Sequence, residues 1–231
     1  MKSEDTLLSA IAGFVDTLSF VALFGLFTAH VTGNFVLIGA GVAGFGRGVL
    51  LKLIVFPAFV CGVVVSSLLV RSLSERHARQ GSRLLHAVQA VLMFGYCVAG
   101  VWATPVTQPD SLAVTVAGIV GAFAMGVQNA HPKLVKRPSV PNTVMTGNVT
   151  QAILDVVDML SGDTPESVRE IARTRFATML PAIVSFAIGA IAGALGYRHV
   201  GFWALLAPAC ALVALALTTG EHERAATPGH T

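Results

Sequence analysis

The sequence predicts an all-α protein that crosses a membrane several times. Of its 231 residues, 54% are hydrophobic and only 12% are charged, and the mean hydropathy is +0.74. A soluble domain carries about 25% charged residues, so too few charges remain here to cover a water-facing surface. Apolar runs of about 18 residues recur, as is typical of membrane-spanning helices. We therefore expect a polytopic helix bundle in a lipid bilayer, and no nucleic-acid partner because the basic residues form no stripe with interleaved aromatic residues.

The first apolar run, Leu7–Thr28, is too long for a signal-peptide core and ends without a cleavage site, so we expect it to stay as a span. Further full spans are predicted at Leu50–Val70, Leu84–Thr104, Leu112–Ala130, Phe176–Leu195 and Gly201–Leu217, followed by a polar tail at Glu221–Thr231. We treat residues 1–231 as a single membrane domain. The three cysteines, Cys61, Cys97 and Cys210, lack metal-ligand spacing, which favours small buried hydrophobic residues.

Two tight polar steps interrupt the apolar runs. The first Thr-Gly-Asn step is Thr32-Gly33-Asn34 and the second is Thr146-Gly147-Asn148. The segments that follow, Phe35–Gly46 and Val149–Leu160, would each cover roughly 18 Å as a helix, short of a core of about 30 Å. Threonine and asparagine can cap a helix start, and glycine allows a sharp turn. Each step therefore predicts a broken or re-entrant half-helix, with a tight turn that satisfies only its own backbone as the alternative.

Three short matches in the same order predict an internal repeat of three spans plus three. Gly13–Asp16 matches Gly126–Asn129, the first Thr-Gly-Asn step matches the second, and Pro57–Val60 matches Pro181–Val184. The repeat cores are residues 7–70 and 112–195, and the span at 84–104 closes toward the second half. Such repeats are common among membrane transporters.

The 15 lysine and arginine residues distinguish three topologies, because basic residues concentrate on the cytoplasmic side. If neither short segment crosses, six helices span, and only Arg47, Lys52 and Arg198 face outward. If both segments cross, there are eight spans, with 8 basic residues on the cytoplasmic side and 7 on the other. If only Phe35–Gly46 crosses, there are seven spans, with 11 basic residues on the cytoplasmic side and 4 on the other. Six spans with both termini in the cytoplasm fit best, and seven stay open.

The chain resembles the YoaK family of bacterial membrane proteins, which is built on a domain of unknown function. Gly13–Asp16, Phe123–Asn129 and the two Thr-Gly-Asn steps carry the resemblance, which extends from about Leu7 to Leu217. His30-Val31 departs from it, because a Phe- or Met-like residue is expected before the first step. The resemblance implies an integral protein of the bacterial inner membrane and supplies neither an activity nor a substrate.

Asp16 is the first candidate for a functional residue. It lies roughly 13 Å into the predicted first span, near the midplane, where a carboxylate is costly unless it is protonated, paired or hydrated. Intramembrane carboxylates of this kind commonly carry protons or ions. The structural alternative is an Asp16 that hydrogen-bonds to a neighbouring helix, for which the amide of Asn129 is the predicted partner.

The leading functional hypothesis is a small-solute transporter in which Asp16 carries a proton or cation. Its binding site would lie at the repeat interface and be lined by Thr32, Gly33, Asn34, Asn129, Thr146, Gly147 and Asn148. The alternative is a non-transporting scaffold or partner subunit whose polar residues only pack helices. No motif indicates a nucleophile with its base, a metal ligand set or a nucleotide loop, so we expect no enzyme, cofactor or metal. The solute, the direction, the coupling ion and homo-oligomer formation are left open.

Other polar residues and glycines receive structural interpretations. Gln151, Asp155 and Asp158 share one helical face, which we expect to lie in water near Arg169 or Arg173 rather than to form a cavity wall or cation site. His30 is expected to cap or to lie at the interface, and His131 to be solvated in a loop. Close helix packing is expected at two glycine-rich stretches, Gly39–Gly44 and Gly189–Gly193.

Overall fold

A computed structural model describes residues 2–73, 78–135, 140–143 and 145–225, and the regular elements within these ranges are all helical. They are α1 (Lys2–Ala22), α2 (Gly33–Val42), α3 (Val49–Arg71), α4 (Ala78–Trp102), α5 (Leu112–Leu134), α6 (Met145–Leu160), α7 (Glu166–Val200) and α8 (Leu206–Ala225), with a 3-10 turn at Gly201–Leu205 between the last two. The predicted all-α class is therefore confirmed.

Six of these helices have the length to span a membrane. Five described runs are long and apolar enough to cross, and the last of them, the 54-residue run Glu166–Thr219, contains α7 and most of α8. Gly201 separates that pair with a φ of 60°, a left-handed value that suits glycine. By contrast, α2 has 10 residues and α6 has 16, so that they extend only about 15 and 24 Å.

α1 ends earlier than the predicted span, at Ala22 rather than at Thr28. The chain turns back at Phe24 and Gly25, which adopt φ values of 54° and 73°. Hydropathy alone extends the span because residues 23–29 remain apolar and largely buried after the helix has ended. The earlier end places Asp16 six residues from the C-terminus of α1 instead of near its middle.

α1 packs in parallel along α7 through two glycines of α7. A Cβ atom at Gly189 would fall well inside van der Waals contact with the carbonyl oxygen of Ala10, and one at Gly193 would do the same to Phe14. The contact advances along both helices together, so the two helices run in the same direction. The close packing predicted for Gly189 and Gly193 is therefore confirmed.

A second parallel pair is formed by α3 and α5. A Cβ atom at Gly62 would collide with the backbone of Phe123, and one at Gly126 would collide with the backbone of Phe59. The stretch Gly39–Gly44 behaves differently, because a Cβ at either of its terminal glycines would meet nothing within 4 Å. Close packing was therefore the wrong prediction for those two glycines.

The directions of the helices show which segments cross. α4 runs parallel to α1, because His86 meets Glu4 near the start of α1 and Tyr96 meets Ser19 near its end. α5 is antiparallel to α4: His131 stacks on His86, and Gly121 lies against Tyr96. Thus α1, α4 and α7 run one way, and α3 and α5 run the other.

These directions exclude the topologies with seven and eight spans. If α2 crossed the membrane, α1 and α3 would run in the same direction, and if α6 crossed, so would α5 and α7. Both pairs are antiparallel, so neither short helix crosses. The chain reverses again after α7, because Phe202 lies against Gly100 near the end of α4 and α8 then packs back along α4. The arrangement has six spans, as predicted.

The outer surface is apolar along the bundle, as a lipid-facing surface requires. Four of the six long helices, α3, α4, α7 and α8, carry large exposed hydrophobic side chains along their length, whereas α1 exposes them only near its end, at Phe20 and Val21, and α5 only at its first residue, Leu112. α1 and α5 are thus the enclosed helices: α1 packs mainly against α7, and α5 packs mainly against α3 and α4. Cys61 and Cys210 are exposed on the surface, so the prediction of buried cysteines holds only for Cys97.

The six-span arrangement predicts which loops share a side. A single cysteine introduced at Arg47 or at Asp110 should react with a membrane-impermeant maleimide from one side of sealed vesicles, and one at Asp163 from the other side. All three positions are exposed, and Gly48 lies against Pro109, which places the first two loops at one end of the bundle. The measurement uses a background without the native cysteines. Labelling of all three positions from the same side would contradict the arrangement.

Candidate functional site

Asp16 is buried on α1, with 3% of its surface exposed. Its Oδ1 accepts hydrogen bonds from the N–H groups of Thr28 and Ala29, both at 2.8 Å, and its Oδ2 lies 2.7 Å from Nδ1 of His30. The carboxylate thereby holds the returning chain against the helix that carries it. The predicted amide partner, Asn129, is half-buried on α5 and is not among these contacts, so that detail of the structural alternative was wrong.

His30 is the accessible member of this pair. Its side chain is 33% exposed, whereas that of Asp16 is 5% exposed. The imidazole also meets the rings of Phe27 and Phe186 edge-on, with centroids 6.5 and 5.5 Å away. A titratable group with one side open therefore covers a buried carboxylate. The expectation of a capping or interfacial histidine missed this pair, because the sequence does not reveal the chain reversal that creates it.

Asn34 is the buried residue of the first Thr-Gly-Asn step. Its Nδ2 donates to the carbonyl oxygen of Phe27 at 2.7 Å, and its Oδ1 accepts from the N–H of the same residue at 2.9 Å. Thr32 precedes α2 but makes no side-chain capping bond, and it is exposed. A Cβ at Gly33 would lie 3.1 Å from the ring of Phe27. Of the two residue types named as possible caps, asparagine therefore fastens the step, to an earlier segment, and Thr32 makes no capping bond.

The second Thr-Gly-Asn step has the same anchor. α6 begins at Met145, so the step forms its first turn, in which Thr146 and Gly147 are exposed and Asn148 is buried. Asn148 Nδ2 donates to the carbonyl oxygen of Pro141 at 2.7 Å. Both asparagines thus bind the backbone carbonyl seven residues earlier. This shared contact gives the two steps one structural role.

The two steps lie beside opposite ends of α1. The chain before the second step meets the start of α1, where the Val140 N–H donates to Asp5 at 3.4 Å and the Gln128 amide donates to the Leu8 carbonyl at 2.7 Å. Asp5 and Asp16 are separated by about 16 Å along the helix. The structure therefore brings Asp16 together with the first step and leaves the second step at the other end of the helix.

A line of buried polar side chains on α4 faces α1 and α5. The line comprises Ser82, His86, Gln89 and Tyr96. These residues follow one another at spacings of four, three and seven, so they share one face of the helix, and Met93 lies on the same face between the last two. Gln89 donates to Gln128 at 2.6 Å, and the hydroxyl of Tyr96 lies 2.8 Å from that of Ser19. Polar groups thus occur along much of the interior, interrupted by an apolar layer at Met93.

Where this line begins, near the start of α4, four residues form a cluster that we call the Glu4 cluster: Glu4, Ser82, His86 and His131. Glu4 Oε1 lies 3.0 Å from His86 Nε2 and 3.6 Å from His131 Nε2. The two imidazole rings stack with their centroids 4.6 Å apart. Ser82 Oγ lies between them, 2.8 Å from His131 Nε2 and 3.3 Å from His86 Nε2. Three helices, α1, α4 and α5, contribute to this cluster.

Sequence reasoning missed the Glu4 cluster. His131 was expected to be solvated in a loop, yet α5 continues to Leu134 and leaves only 2% of this residue exposed. The prediction was wrong because the predicted span stops at Ala130, whereas the helix continues through Pro132 to Leu134. The sequence did contain a signal for this cluster. Ser82, His86 and Gln89 share one face of α4, and a polar face within an otherwise apolar helix indicates polar partners in the interior.

Asp155 forms a buried ion pair with α7. It is completely buried, and its carboxylate is bound by the guanidinium of Arg175 through Nε at 2.8 Å and through a short contact from Nη2. Gln151 adds a hydrogen bond at 3.0 Å. The guanidinium holds the pKa of the Asp155 carboxyl below its usual range. The expectation that this acid lies in water near Arg169 or Arg173 was therefore wrong.

Comparison with known proteins agrees with this architecture. Residues 6–218 match the family described as "Protein of unknown function (DUF1275)". The UPF0700 transmembrane protein YoaK of Bacillus subtilis (strain 168) is 26% identical over 157 residues, which are 66% of this chain and 67% of that protein. No solved structure matches the chain. Because the family match runs from α1 into α8, the chain belongs to this family, and it is a multi-pass helical membrane protein of the YoaK type.

Proposed function

We propose that this protein transports a small solute across the bacterial inner membrane and couples that transport to protons through Asp16 and His30. The observation that carries the proposal is the pair itself: a buried carboxylate on a spanning helix, bound to a histidine whose other side is open. Ionisable residues inside membrane proteins commonly serve as proton or ion relays. Histidine is the side chain whose ordinary charge change falls between about pH 5 and 8.

The geometry links the protonation of this pair to the first Thr-Gly-Asn step. The two oxygens of Asp16 have separate partners: Oδ1 accepts the backbone bonds, and Oδ2 faces His30. A proton that reaches Oδ2 removes the charge that holds an imidazolium but leaves the backbone bonds at Oδ1. His30 is then released from the carboxylate. Residues 27–34 can move as a unit, because the side chain of Asn34 bonds to both backbone groups of Phe27.

Two pseudo-equivalent halves would supply access from the two sides. The halves begin with matching motifs that contain Gly13 and Gly126, and each of these glycines packs against a backbone of the other half, Phe186 and Phe59 respectively. The two Thr-Gly-Asn steps share their asparagine anchor and lie at opposite ends of α1. This arrangement supports an inverted repeat, in which one half can tilt against the other around a central site.

The basic residues orient this arrangement. With six spans, only three of the 15 lysine and arginine residues face the side of the first step. The side that holds the other basic residues is the cytoplasmic side. Both termini are then cytoplasmic, the first step opens toward the periplasm and the second toward the cytoplasm.

A specific observation favours the scaffold alternative as the second candidate. Asp16 Oδ1 already accepts two backbone hydrogen bonds, which is what a purely structural cap would do. In that function the carboxylate fixes the end of α1 and carries no proton. The charge on Oδ2 is then dispensable, whereas the acceptor at Oδ1 is not.

The variant Asp16→Asn separates the two functions, because asparagine keeps the acceptor at Oδ1 and removes the charge. In proteoliposomes with an internal pH dye, screened against a panel of amino acids, sugars and organic cations, we expect the wild type to show a solute-dependent proton flux. We expect Asp16→Asn to lose that flux at least about tenfold while its thermal unfolding midpoint stays close to that of the wild type.

The control is Asp110→Asn, an exposed loop carboxylate, which should leave the flux unchanged. Equal flux in wild type and Asp16→Asn would reject the proton role of Asp16. A wild type that moves nothing in the panel beyond empty liposomes would favour the scaffold.

A further inference from the structure

We propose that the Glu4 cluster is a binding site for a divalent transition-metal ion of the zinc class. The site would fasten the start of α1 to the start of α4 and the end of α5. It lies at the opposite end of α1 from the Asp16–His30 pair, and the proposal does not depend on transport.

The separations within the cluster fit a four-coordinate ion. Zinc binds imidazole nitrogen and carboxylate oxygen at about 2.1 Å, so ligand atoms at the corners of a tetrahedron are about 3.4 Å apart. Five of the six separations among Glu4 Oε1, Ser82 Oγ and the two histidine nitrogens lie between 2.8 and 3.6 Å. The remaining one, between the nitrogens of His86 and His131, is within 4.8 Å. An ion at the centre would require these two nitrogens to lie about 3.4 Å apart, a separation that rotation of the imidazoles about their side-chain bonds can adjust.

The donor set selects the class of metal. Two imidazoles and a carboxylate suit zinc and its first-row neighbours, whereas calcium and magnesium prefer oxygen ligands alone. No cysteine belongs to the cluster, which makes cuprous ion a poor match. Glu4 supplies a negative charge to a site whose other donors are neutral, and Ser82, or a water in its place, completes the fourth position.

The cluster combines two buried histidines with a glutamate that solvent can reach. His86 and His131 are 1% and 2% exposed, so both imidazoles are already enclosed within the bundle before an ion arrives. The Glu4 side chain is 16% exposed and forms the open side. A buried histidine pair beside a partly exposed carboxylate allows an ion to enter from the end of the bundle and be enclosed there.

The test is direct metal binding by the full-length protein. The protein is purified in detergent through a histidine-free tag, stripped with EDTA and titrated with Zn²⁺ by calorimetry, and with Co²⁺ by its visible absorption. We expect one ion per chain, the intense bands of tetrahedral Co²⁺, and a rise of several degrees in the unfolding midpoint with Zn²⁺. The variants Glu4→Gln and His86→Gln should bind at least about 100-fold more weakly.

The matched control is His199→Gln, which removes an exposed histidine at the end of α7 and should bind as the wild type does. Metal-free unfolding midpoints of all variants show whether a loss of binding reflects a loss of fold. His131→Gln provides a second removal from a different helix. Stoichiometric binding that survives in both histidine variants, or a wild type that binds no Zn²⁺ at micromolar concentration, would overturn the proposal.

Discussion

The substitution Gly189→Ala is expected to destabilise the protein by about 3 kcal/mol, near the upper end of the range for overpacked cores. The added Cβ would fall inside contact distance of the Ala10 carbonyl oxygen, a backbone atom that no side-chain rotation can move. α1 and α7 would have to separate along the most extensive helix–helix contact in the described part of the chain. Separation also removes the hydrogen bond from the Ser185 hydroxyl to the Thr6 carbonyl.

Unfolding in mixed micelles, followed by circular dichroism as denaturing detergent is added, measures this change. The matched control is Gly39→Ala on α2, where a Cβ meets nothing within 4 Å. Alanine has the higher helix propensity by up to about 1 kcal/mol, so the control should be neutral or slightly stabilising. Equal stability of the two variants would show that α1 and α7 do not pack as closely as described.

Much of the fold could be predicted from the sequence because membrane helices follow composition. Low charge and long apolar runs identify the spans, and the excess of basic residues on one side selects six spans. The end of α1 could not be predicted this way, because residues 23–29 stay apolar after the helix has ended. The helix ends at the left-handed turn of Phe24 and Gly25, and Asp16 then holds the returning chain by accepting from two backbone N–H groups that lie 12 and 13 positions further along.

The candidate sites were harder to predict than the fold. Asp16 could be found because a lone carboxylate in an apolar run is unusual, and its true partners could not because they depend on the chain reversal. Glu4, His86 and His131 belong to three helices and form no local motif. Only the packing of the start of α1 against the paired helices α4 and α5 brings them together. Asp155 was placed in water because a short amphipathic helix looks interfacial until the helix that covers it is known.

The second large effect is expected at Asp155. The substitution Asp155→Asn should destabilise the protein by about 3 kcal/mol at neutral pH, because it leaves the Arg175 guanidinium against a buried amide without a counter-charge. The value is at the lower end for broken buried pairs, since the Arg175 side chain is 39% exposed and water can still reach it. Detergent unfolding of both single variants and of Asp155→Asn with Arg175→Gln measures the coupling between them.

The dependence on pH distinguishes this ion pair from simple packing. Because Arg175 lowers the pKa of Asp155 in the folded protein, the pair contributes fully above the usual carboxyl pKa of about 4 and loses its contribution as the pH falls through the lower folded value. The stability difference between wild type and Asp155→Asn should therefore be constant near neutral pH and shrink in acid. The exposed carboxylate of Asp163 is the control, and Asp163→Asn should show neither effect. Additive single variants, or a difference that persists unchanged into acid, would mean that α6 is held to α7 by its apolar contacts and not by this charge.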